Sequence, residues 1–435
     1  MRGPHRSRAS IALVGAVALF IGLTGCGGGN GSSSGTSGKA GTFDGKGPIT
    51  LASGKDTSGY LPSALEKWNS AHPSEKATLI ELPEAADQQR QQMIQNAQTK
   101  SDAYSVLVTD VVWTDEFAAN GWIEQLPQDQ FQLDKVLKPV TDTAKYFGKL
   151  YAAPYLTDAG LLYYRKDLLD AAGITSPPKT WDELKAACQK VIPQSGGASC
   201  YAGQFEKYEG LTCNFSEAVN SAGGAVVNDQ GKPVVDSPEA KKGLDFLVNG
   251  FKDGTIPKEA ITYKEEEGRR AFQDGKLIFH RQWPYQYAKA NATDGSSKVA
   301  GKFSVAPLPG LTGPGKATLG GHNLTISKFA KNKGSALEFI KFMTTESEEK
   351  LHLQKTSEAP VYASLYDDPE LVKQFPYMPV LRDAVNAAQA RPKIVKYGDA
   401  TTAMQEAAYA AMTGTQTSDA ALKSLQSKLS TITGK

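Results

Sequence analysis

The stretch Tyr104-Ser105-Val106-Leu107-Val108-Thr109-Asp110 decides the fold, because it is the third in a series of short apolar runs. The first two runs lie at residues 49–52 and 77–82, and each is followed by a segment with a helical pattern. Strands and helices therefore alternate, which predicts an α/β fold with a mostly parallel sheet covered by helices. Ligands bind beyond the carboxyl ends of such strands, and Asp110 is predicted to lie at that edge.

The alternation continues through a second region, at about residues 160–304. Thr180 followed by Glu183 forms a capping box, which predicts the start of a helix there. From about residue 333 the pattern is mainly helical, and one of the predicted helices covers residues 381–390. No internal repeat is present.

Composition limits the class of protein. The chain has 435 residues, of which 40% are apolar and 22% are charged, as in ordinary soluble globular proteins. These values exclude a disordered chain and a collagen-like fibre, and four Cys are too few for a small disulfide-stapled scaffold. At roughly 150 residues per domain, the length predicts two to three domains. The net charge of +2 gives no reason to expect nucleic acid as a partner.

The N-terminus has the features of an export signal. Arg2, Arg6 and Arg8 precede the short apolar run at residues 11–23, which leads to Leu-Thr-Gly-Cys26. Small residues directly before a Cys resemble the bacterial lipobox, which implies cleavage after residue 25 and acylation of Cys26. A plain signal peptide and an N-terminal membrane anchor are the alternatives.

Residues 26–47 are rich in Gly and Ser, which predicts a flexible tether between the lipid and the folded body. Removing residues 1–25 takes away three Arg and no acidic residue, so the formal net charge of the mature chain falls from +2 to −1. We therefore expect a lipid-anchored protein on the extracellular face of the cell membrane.

The Cys and His residues predict no metal site, because no Cys pair has C-x-x-C spacing and no two His share a helical face. An exported protein can hold a disulfide. Cys188–Cys200 would close a Gly-rich loop, Cys200–Cys213 is the rival pairing, and three reduced, buried thiols remain a third possibility.

Two clusters of polar residues are candidates for chemistry. Glu265-Glu266-Glu267 lies at the start of a predicted helix, where acids interact favourably with the helix dipole, and we interpret it in that way. The segment 280–285, His-Arg-Gln-Trp-Pro-Tyr, follows an apolar strand. Its mixture of aromatic and charged side chains suits a sugar, whose C–H face stacks on a ring while its hydroxyls bind charged groups.

A series of motifs resembles the extracellular solute-binding proteins of ABC sugar importers, in particular the maltose- and trehalose-type members. The motifs occur in the family's order and cover nearly all of residues 48–435. They are Phe117 to Leu126 (FAANGWIEQL), Pro154 to Leu169 (PYLTDAGLLYYRKDLL), Pro177 to Leu184 (PPKTWDEL), Tyr208 to Leu211 (YEGL), Ala271 to Lys276 (AFQDGK), Trp283 to Tyr285 (WPY), Val305 to Pro309 (VAPLP), Leu319 to Leu324 (LGGHNL) and Ala390 to Pro392 (ARP).

The resemblance implies a periplasmic-binding-protein-like fold, in which two α/β lobes joined by a hinge hold the ligand in the cleft between them. Residues 48–157 and 305–355 would form the first lobe. Residues 158–304 and 356–435 would form the second.

The resemblance also implies roles for residues at matching positions. Asp110 resembles the acid that holds sugar hydroxyls, Trp283 the stacking Trp, and Arg391 the Arg that closes on the sugar in trehalose-type members. Gly320 and Gly321 resemble the backbone segment that lies against the sugar. The other expected ligand-binding residues are Lys55, Asp56, Tyr155, Thr157, Asp158, Glu209, Tyr285 and Asn323. Lys55 and Asp56 lie where family members vary, so we expect them to govern selectivity.

The function implied is binding without catalysis and without a cofactor. An α-linked gluco-oligosaccharide such as trehalose or maltose would bind the open cleft, and the lobes of a monomer would close on it and dock on an ABC permease. Two alternatives remain at this point. One is a secreted glycoside hydrolase, and the other is a binding protein for a polyamine, a peptide or a glycerophosphodiester.

Overall fold

The computed structural model describes residues 42–56 and 58–435. The predicted signal peptide, Cys26 and the tether up to residue 41 lie outside the described residues. The strands are β1 (Ile49–Ser53), β2 (Ala77–Glu81), β3 (Val106–Asp110), β4 (Lys145–Tyr146), β5 (Lys149–Leu150), β6 (Ala153–Ala159), β7 (Leu161–Tyr164), β8 (Ser199–Ala202), β9 (Leu277–Gln282), β10 (Ser304–Ala306), β11 (Thr318–Ile326) and β12 (Gln389–Ala390).

Helices cover the sheets and make up most of the C-terminal region, as the pattern predicted. They are α1 (Tyr60–Ala71), α2 (Ala86–Gln98), α3 (Thr114–Ala119), α4 (Lys138–Thr143), α5 (Lys166–Ala171), α6 (Trp181–Val191), α7 (Glu209–Ser221), α8 (Pro238–Asp253), α9 (Glu265–Gln273), α10 (Gln286–Ala290), α11 (Lys333–Met343), α12 (Glu346–Thr356), α13 (Pro369–Gln374), α14 (Met378–Ala387), α15 (Tyr397–Met412) and α16 (Ser418–Thr433). Within the described part, none of these helices combines the length and the apolarity that a bilayer span requires.

The first sheet has the strand order β12-β11-β3-β1-β2, and β6 pairs with β11 along the edge opposite β3. Strands β1, β2 and β3 are parallel, as the alternating pattern predicted. Strand β11 runs antiparallel to both β3 and β6, so the sheet is mixed and the prediction of a mostly parallel sheet was incomplete. The reason is that β11 returns from more than two hundred residues downstream, and nothing local in the sequence fixes its direction.

The second sheet has the order β10-β7-β9-β8. Strand β7 is antiparallel to β9, whereas β8 is parallel to β9. We call the half built on the first sheet the first lobe. The second lobe is the second sheet together with the helices that share its core.

Each sheet is buried on both faces. In β1, Leu51 and Ala52 point to opposite sides and join different hydrophobic clusters, which together enclose the first sheet between helices. A larger cluster encloses the second sheet and includes Leu381, Met404 and Leu425 from the C-terminal helices. Helices α14, α15 and α16 therefore pack with the second lobe.

Several local predictions are confirmed. Thr180 Oγ1 accepts the backbone N–H of Glu183 at 3.1 Å, and the Glu183 carboxylate accepts the Thr180 N–H at 3.3 Å, which completes the capping box at the start of α6. Cys188 and Cys200 form a disulfide that ties α6 to β8, with their Cα atoms 5.4 Å apart. Cys213 is free and buried in α7, which removes the rival pairing.

The predicted helix at residues 381–390 ends early. Helix α14 stops at Ala387, and Gln389–Ala390 instead pairs in parallel with Thr318 and Leu319 as β12. The Ala-rich composition favours a helix locally, but pairing with β11 overrides this preference. As a result, Arg391 follows directly from the edge of the first sheet.

Two predicted boundaries differ from the structure. Strand β10 pairs with β7 in the second sheet, so the chain returns to the first lobe at the start of β11 rather than at residue 305. At the N-terminus, the N–H of Gly47 donates to Ser335 at 3.0 Å, and Phe43 packs on the first lobe's core. The folded body therefore already includes residues 43–47, which the sequence had assigned to the tether.

Candidate functional site

Two adjoining cavities lie between the lobes, and together we call them the cleft. The larger has a volume of about 380 Å³ and is lined by Lys55, Glu84, Ala86, Asp110, Asp158, Tyr208, Glu209, Gly210, Cys213, Glu265, Glu266, Arg270, Trp283, Tyr285, Gly320, Gly321, His322, Glu358 and Arg391. The smaller has a volume of about 190 Å³ and is lined by Ser53, Gly54, Lys55, Asp56, Ser58, Leu61, Gln89, Val108, Tyr155, Leu156, Tyr285, Lys289, His322, His352, Thr356 and Glu358. The shared residues, such as Tyr285 and His322, form the boundary between the two.

The cleft brings most of the predicted site residues together. Those that line the larger cavity are Lys55, Asp110, Asp158, Glu209, Trp283, Tyr285, Gly320, Gly321 and Arg391. Asp56 and Tyr155 line the smaller one. These lining residues lie at the ends of β1, β3, β6 and β9, at the start of α7 and directly after β12. The rule that ligands bind beyond the carboxyl ends of parallel strands therefore explains the position of Asp110 but not the whole site.

Two predicted residues do not line the cleft. Asn323 is fully buried in β11, and its amide donates to Thr143 Oγ1 at 3.2 Å on the side of α4. Thr157 is also fully buried and lies opposite Gly321 in the pairing of β6 with β11. In both motifs the predicted set therefore included a buried side chain that does not line either cavity.

Arg391 joins carboxylates that come from separate parts of the chain. Its two terminal nitrogens donate to the Asp110 carboxylate at 2.6 and 3.0 Å, and one of them also donates to Glu209 at 2.5 Å. The Nε atom of Arg391 is buried and has no hydrogen-bond partner within the described residues. A ligand oxygen could accept from this group.

Burial and neighbouring charges act in opposite directions on the groups of this cluster. Burial raises the pKa of Glu209 to about 7, although Arg391 acts in the opposite direction. Burial would lower the pKa of Arg391, but Asp110 and the other neighbouring groups outweigh it and hold that pKa well above its usual value. Thr401 donates to the second oxygen of Glu209 at 2.7 Å, and the Tyr397 hydroxyl also bonds this carboxylate.

Trp283 follows β9 and rests on a second buried arginine. The guanidinium carbon of Arg281 lies 3.8 Å from the centroid of the Trp283 ring, within the range of a cation–π contact. Arg281 is in turn held by Glu217 at 2.7 and 2.5 Å and by Gln204 at 2.8 Å. Part of the Trp283 ring therefore lines the cavity, and another part packs on the guanidinium of Arg281.

The backbone of β11 approaches closely at two glycines. A Cβ atom at Gly320 would lie 2.9 Å from the Trp283 ring, and one at Gly321 would lie 2.3 Å from the Leu156 carbonyl oxygen. Gly321 also has a φ of 111°, which L side chains rarely adopt. These contacts exclude a side chain at either position and leave the strand backbone exposed to the cavity.

Acidic residues that we had assigned only to the helix dipole line the cleft as well. Glu265 accepts the Tyr208 hydroxyl at 2.7 Å, and Glu266 accepts the Tyr285 hydroxyl at 2.9 Å. Burial raises the pKa of Glu265, whereas hydrogen bonds from Arg269 and Tyr285 outweigh burial and lower the pKa of Glu266. The dipole interpretation of this run was therefore incomplete, and no local signal in the sequence pointed to the two tyrosines.

Hydrogen-bonding groups that lack a partner within the described residues border both cavities. One oxygen of Asp158 and the hydroxyl of Tyr155 have no partner in the described part of the chain. Burial holds the pKa of Asp158 well above its usual value. In the smaller cavity, His352 Nε2 lies 2.7 Å from Glu358, and this histidine outweighs burial and lowers the pKa of Glu358. Sequence reasoning missed both residues, because a lone His and a lone Glu carry no motif.

The lobes also touch at the rim of the cleft. Asp87, near the start of α2, accepts the backbone N–H of Glu209 at 2.7 Å and the side-chain amide of Gln405 at 3.3 Å. Together with Arg391, these contacts hold the two lobes against each other around the cavities.

Comparison with known proteins identifies this architecture. The family model described as bacterial extracellular solute-binding protein matches residues 52–350. The chain belongs to this family. It is accordingly a solute-binding protein and not an enzyme.

Three similar proteins illustrate the relationship. A probable ABC transporter-binding protein of Deinococcus radiodurans is 36% identical over 82% of this chain and 86% of its own length. A maltotriose-binding protein of Pyrococcus abyssi is 29% identical over 66% of this chain and 60% of its own length. The solved structure of maltose-bound MalE3 of T. maritima is 34% identical, covers 88% of this solute-binding protein and 99% of its own chain, and has a TM-score of 0.84.

Proposed function

We propose that this protein captures an α-linked gluco-oligosaccharide such as maltose or trehalose and delivers it to the membrane permease of an ABC importer. The observation that carries the proposal is that Trp283 and the pair of Asp110 and Arg391 border the same cavity. An aromatic face beside buried, charged hydrogen-bonding groups is the chemistry that sugars require. The relatives named for maltose and maltotriose support the same class of ligand.

Each group would have a distinct part in binding. The ring of Trp283 would stack on the C–H face of one sugar unit, and the strand backbone at Gly320 and Gly321 would lie against its edge. Arg391 Nε would donate to a sugar oxygen, and the open oxygen of Asp158 would accept a hydroxyl.

The smaller cavity supports a ligand of more than one ring. It adjoins the larger one and offers the unpartnered hydroxyl of Tyr155 together with Asp56 and Lys55. A second sugar unit would occupy this space, and Lys55 and Asp56 would select among the sugars that reach it.

Binding would close the protein by a hinge motion. In the sugar-free protein the lobes would separate at the contacts that Arg391 and Asp87 form with Glu209, and the sugar would shift the population toward the closed form by its additional contacts there. The proposal includes a monomer held on the cell surface through a lipid at Cys26. The permease would then recognise the closed form.

A calorimetric titration tests the ligand class. We expect heat of binding with maltose or trehalose, and none with putrescine, the simplest representative of the polyamines. Ligands that bind only the folded protein also raise its melting temperature, so a thermal-shift screen should give the same ranking. Binding of putrescine without binding of either sugar would contradict the proposal.

Replacing Trp283 by Ala tests its place in the site. We expect the sugar affinity to weaken by about 2–4 kcal/mol, which is typical of a buried aromatic anchor. Trp122→Ala is the matched control, because Trp122 packs edge-on against Phe117 inside the first lobe and does not line the cleft. An unchanged calorimetric affinity in Trp283→Ala would remove this residue from the site.

A further inference from the structure

His322 lies where the two cavities of the cleft meet. Four of the described residues line both cavities, and we call them the waist: Lys55, Tyr285, His322 and Glu358. A ligand with one sugar unit in each cavity would have its glycosidic bond at the waist. The waist residues would therefore contact the part of the ligand that differs between linkage isomers.

Strand pairing fixes the position of His322. This residue lies opposite Asp110 of β3 and opposite Leu156 of β6. Residues that lie opposite each other in neighbouring strands share a face of the sheet, and both Asp110 and Leu156 line the cleft. His322 thus belongs to a row of cleft-facing side chains and is carried by a strand with neighbours on both edges, where a side chain is positioned more precisely than on a loop.

A bulge in β6 brings a second polar group to the same place. Leu156 is the partner of His322, whereas the next residue of β11, Asn323, pairs with Pro154. Tyr155 is therefore the extra residue of the bulge. Bulges change the direction of side chains, and here Tyr155 and Leu156 both line the smaller cavity although consecutive strand residues normally point to opposite faces. The unpartnered hydroxyl of Tyr155 and the imidazole of His322 thus border one space.

The waist residues differ in how their polar groups are used. Tyr285 donates its hydroxyl to a carboxylate at 2.9 Å, and Glu358 lies 2.7 Å from a histidine nitrogen. Lys55 is exposed, and ordering its long side chain would cost conformational entropy. The imidazole of His322 is half-buried and forms no hydrogen bond within the described residues. It is therefore the waist group that combines a fixed position with unused hydrogen-bonding capacity.

The imidazole of His322 is neutral at pH 7. Burial lowers its pKa, although Asp110 and Glu358 act in the opposite direction. A neutral imidazole has one N–H donor and one acceptor nitrogen, so it can donate to a glycosidic oxygen or bond a hydroxyl in either role. A linkage that presents no suitable oxygen at the waist would leave this group without a partner, which costs affinity.

We propose that His322 selects the glycosidic linkage of the bound disaccharide, through a hydrogen bond to an oxygen at or next to the bond between the two sugar units. This proposal rests on the proposed function, because it assumes a sugar that occupies both cavities. Linkage isomers of two glucose units would fill the same cavities but present different oxygens at the waist. Lys55 and Asp56 would act on the second sugar unit itself.

Calorimetric titration with maltose, trehalose and isomaltose tests the proposal, because these sugars are linkage isomers of the same two glucose units. We expect the unmodified protein to prefer one of them by about tenfold or more, the scale of one hydrogen bond. His322→Leu has a side chain of similar size without the two nitrogens, and it should reduce the preference to about threefold or less. His322→Gln keeps a donor and an acceptor and should retain more of the preference than His322→Leu.

His72→Leu is the matched control. His72 stacks on Trp68 at 3.7 Å in the first lobe and does not line the cleft. Its replacement should leave the preference among the three sugars unchanged.

Nitrogen NMR of protein labelled with 15N-histidine measures the contact without a substitution in the site. We expect the ring nitrogen signals of His322 to shift more with the preferred isomer than with the other two sugars. If His322→Leu does not fold, this measurement decides, and equal shifts with all three sugars would overturn the proposal.

The titrations separate this proposal from the proposed function. Equal affinity of the unmodified protein for the three sugars, an unchanged preference in His322→Leu, or a loss of affinity by the same factor for every sugar would overturn the role of His322 alone. Failure of the unmodified protein to bind any of the sugars would instead refute the proposed function.

Discussion

Arg281 and Arg391 are the two buried arginines of the cleft region, and they differ in how completely they are bonded. Their exposed fractions are 1% and 3%, and each forms a forked pair with one carboxylate. Every nitrogen of Arg281 has a partner, and Glu217 and Gln204 both belong to the second lobe. Arg391, which follows β12 of the first sheet, instead joins Asp110 of the first lobe to Glu209 of the second and leaves its Nε atom open.

The difference indicates two kinds of ion pair. A buried charge whose hydrogen bonds all lie within one lobe can stay in place whatever the lobes do, and the Arg281 pair supports the ring of Trp283 in this way. A buried charge that is bonded to both lobes, as Arg391 is through Asp110 and Glu209, loses one of its partners when the lobes separate. We therefore expect Arg281 to control stability and Arg391 to control ligand binding.

The largest expected effect is that of Arg281→Met on stability. Removing the guanidinium leaves the carboxylate of Glu217 buried without its ion-pair partner, which costs about 3–5 kcal/mol of unfolding free energy. Urea unfolding measures the change. Arg382→Met is the control, because its ion pair with Asp367 is exposed and should contribute no more than about 1 kcal/mol. A loss for Arg281→Met as small as that of the control would abolish the distinction between the two arginines.

The next effect is that of Arg391→Met on sugar affinity. Truncating one partner of a buried, hydrogen-bonded charge pair typically costs about 2–5 kcal/mol, and here the loss should fall on the closed, sugar-bound form. Titration calorimetry should show the weaker affinity, while the urea midpoint of the sugar-free protein changes less than in Arg281→Met. Arg391→Lys should recover only part of the affinity, because a Lys cannot form the two parallel bonds to Asp110. If Arg391→Met lowered the free energy of unfolding without weakening the sugar affinity, the role assigned to Arg391 in ligand binding would be contradicted.

The smallest effect is a pH dependence of opposite sign in the two regions. Burial lowers the pKa of His280, next to Arg281, to about 3, so the unfolded chain binds more protons below its ordinary value of 6.5 and stability is lost as the pH falls. Burial raises the pKa of Glu209, next to Arg391, to about 7, so the folded protein binds more protons above 4.5 and stability is lost as the pH rises through 7.

Urea unfolding at several pH values between 5 and 8 measures both slopes. Relative to the unmodified protein, His280→Asn should gain stability toward pH 5, because Asn can still donate to Gln286 and does not titrate. Glu209→Gln should gain relative stability toward pH 8, since the uncharged amide keeps the shape of the carboxyl group. If both variants gained stability over the unmodified protein at the same end of this pH range, the pKa shifts assigned to His280 and Glu209 would be contradicted.

The sequence predicted the parts of the fold that local chemistry determines. The period of the apolar residues located β1, β2 and β3, and the capping box at Thr180 located the start of α6. It did not predict the direction of β11 or the existence of β12, because both depend on pairing with strands that are distant in the chain. An Ala-rich segment that would be helical in isolation became an edge strand for this reason.

The residues of the candidate site can be separated in the same way, into those that the local sequence located and those that tertiary packing determines. Asp110 and Trp283 each follow an apolar strand, so strand ends and motif resemblance located them. The side chain of Asn323 packs against α4 instead of lining the cleft, and a motif does not show where each of its side chains packs. Glu265 begins α9, His352 lies within α12 and Glu358 follows that helix. Only tertiary packing brings them to the cleft, and no spacing in the sequence connects them.

The central position of β11 in the first sheet has a consequence for export. A chain that crosses the membrane in an unfolded state emerges from its N-terminus, so β1, β2 and β3 reach the outside long before residues 318–326 do. They cannot complete their sheet until β11 arrives, whereas the strands of the second sheet all lie between residues 161 and 306 and become available together. Because contacts between distant residues form slowly and expose strand edges meanwhile, we expect the second sheet to form before the first, although α14, α15 and α16 complete the core of the second lobe only at the end. The strands that emerge first therefore depend longest on protection from aggregation.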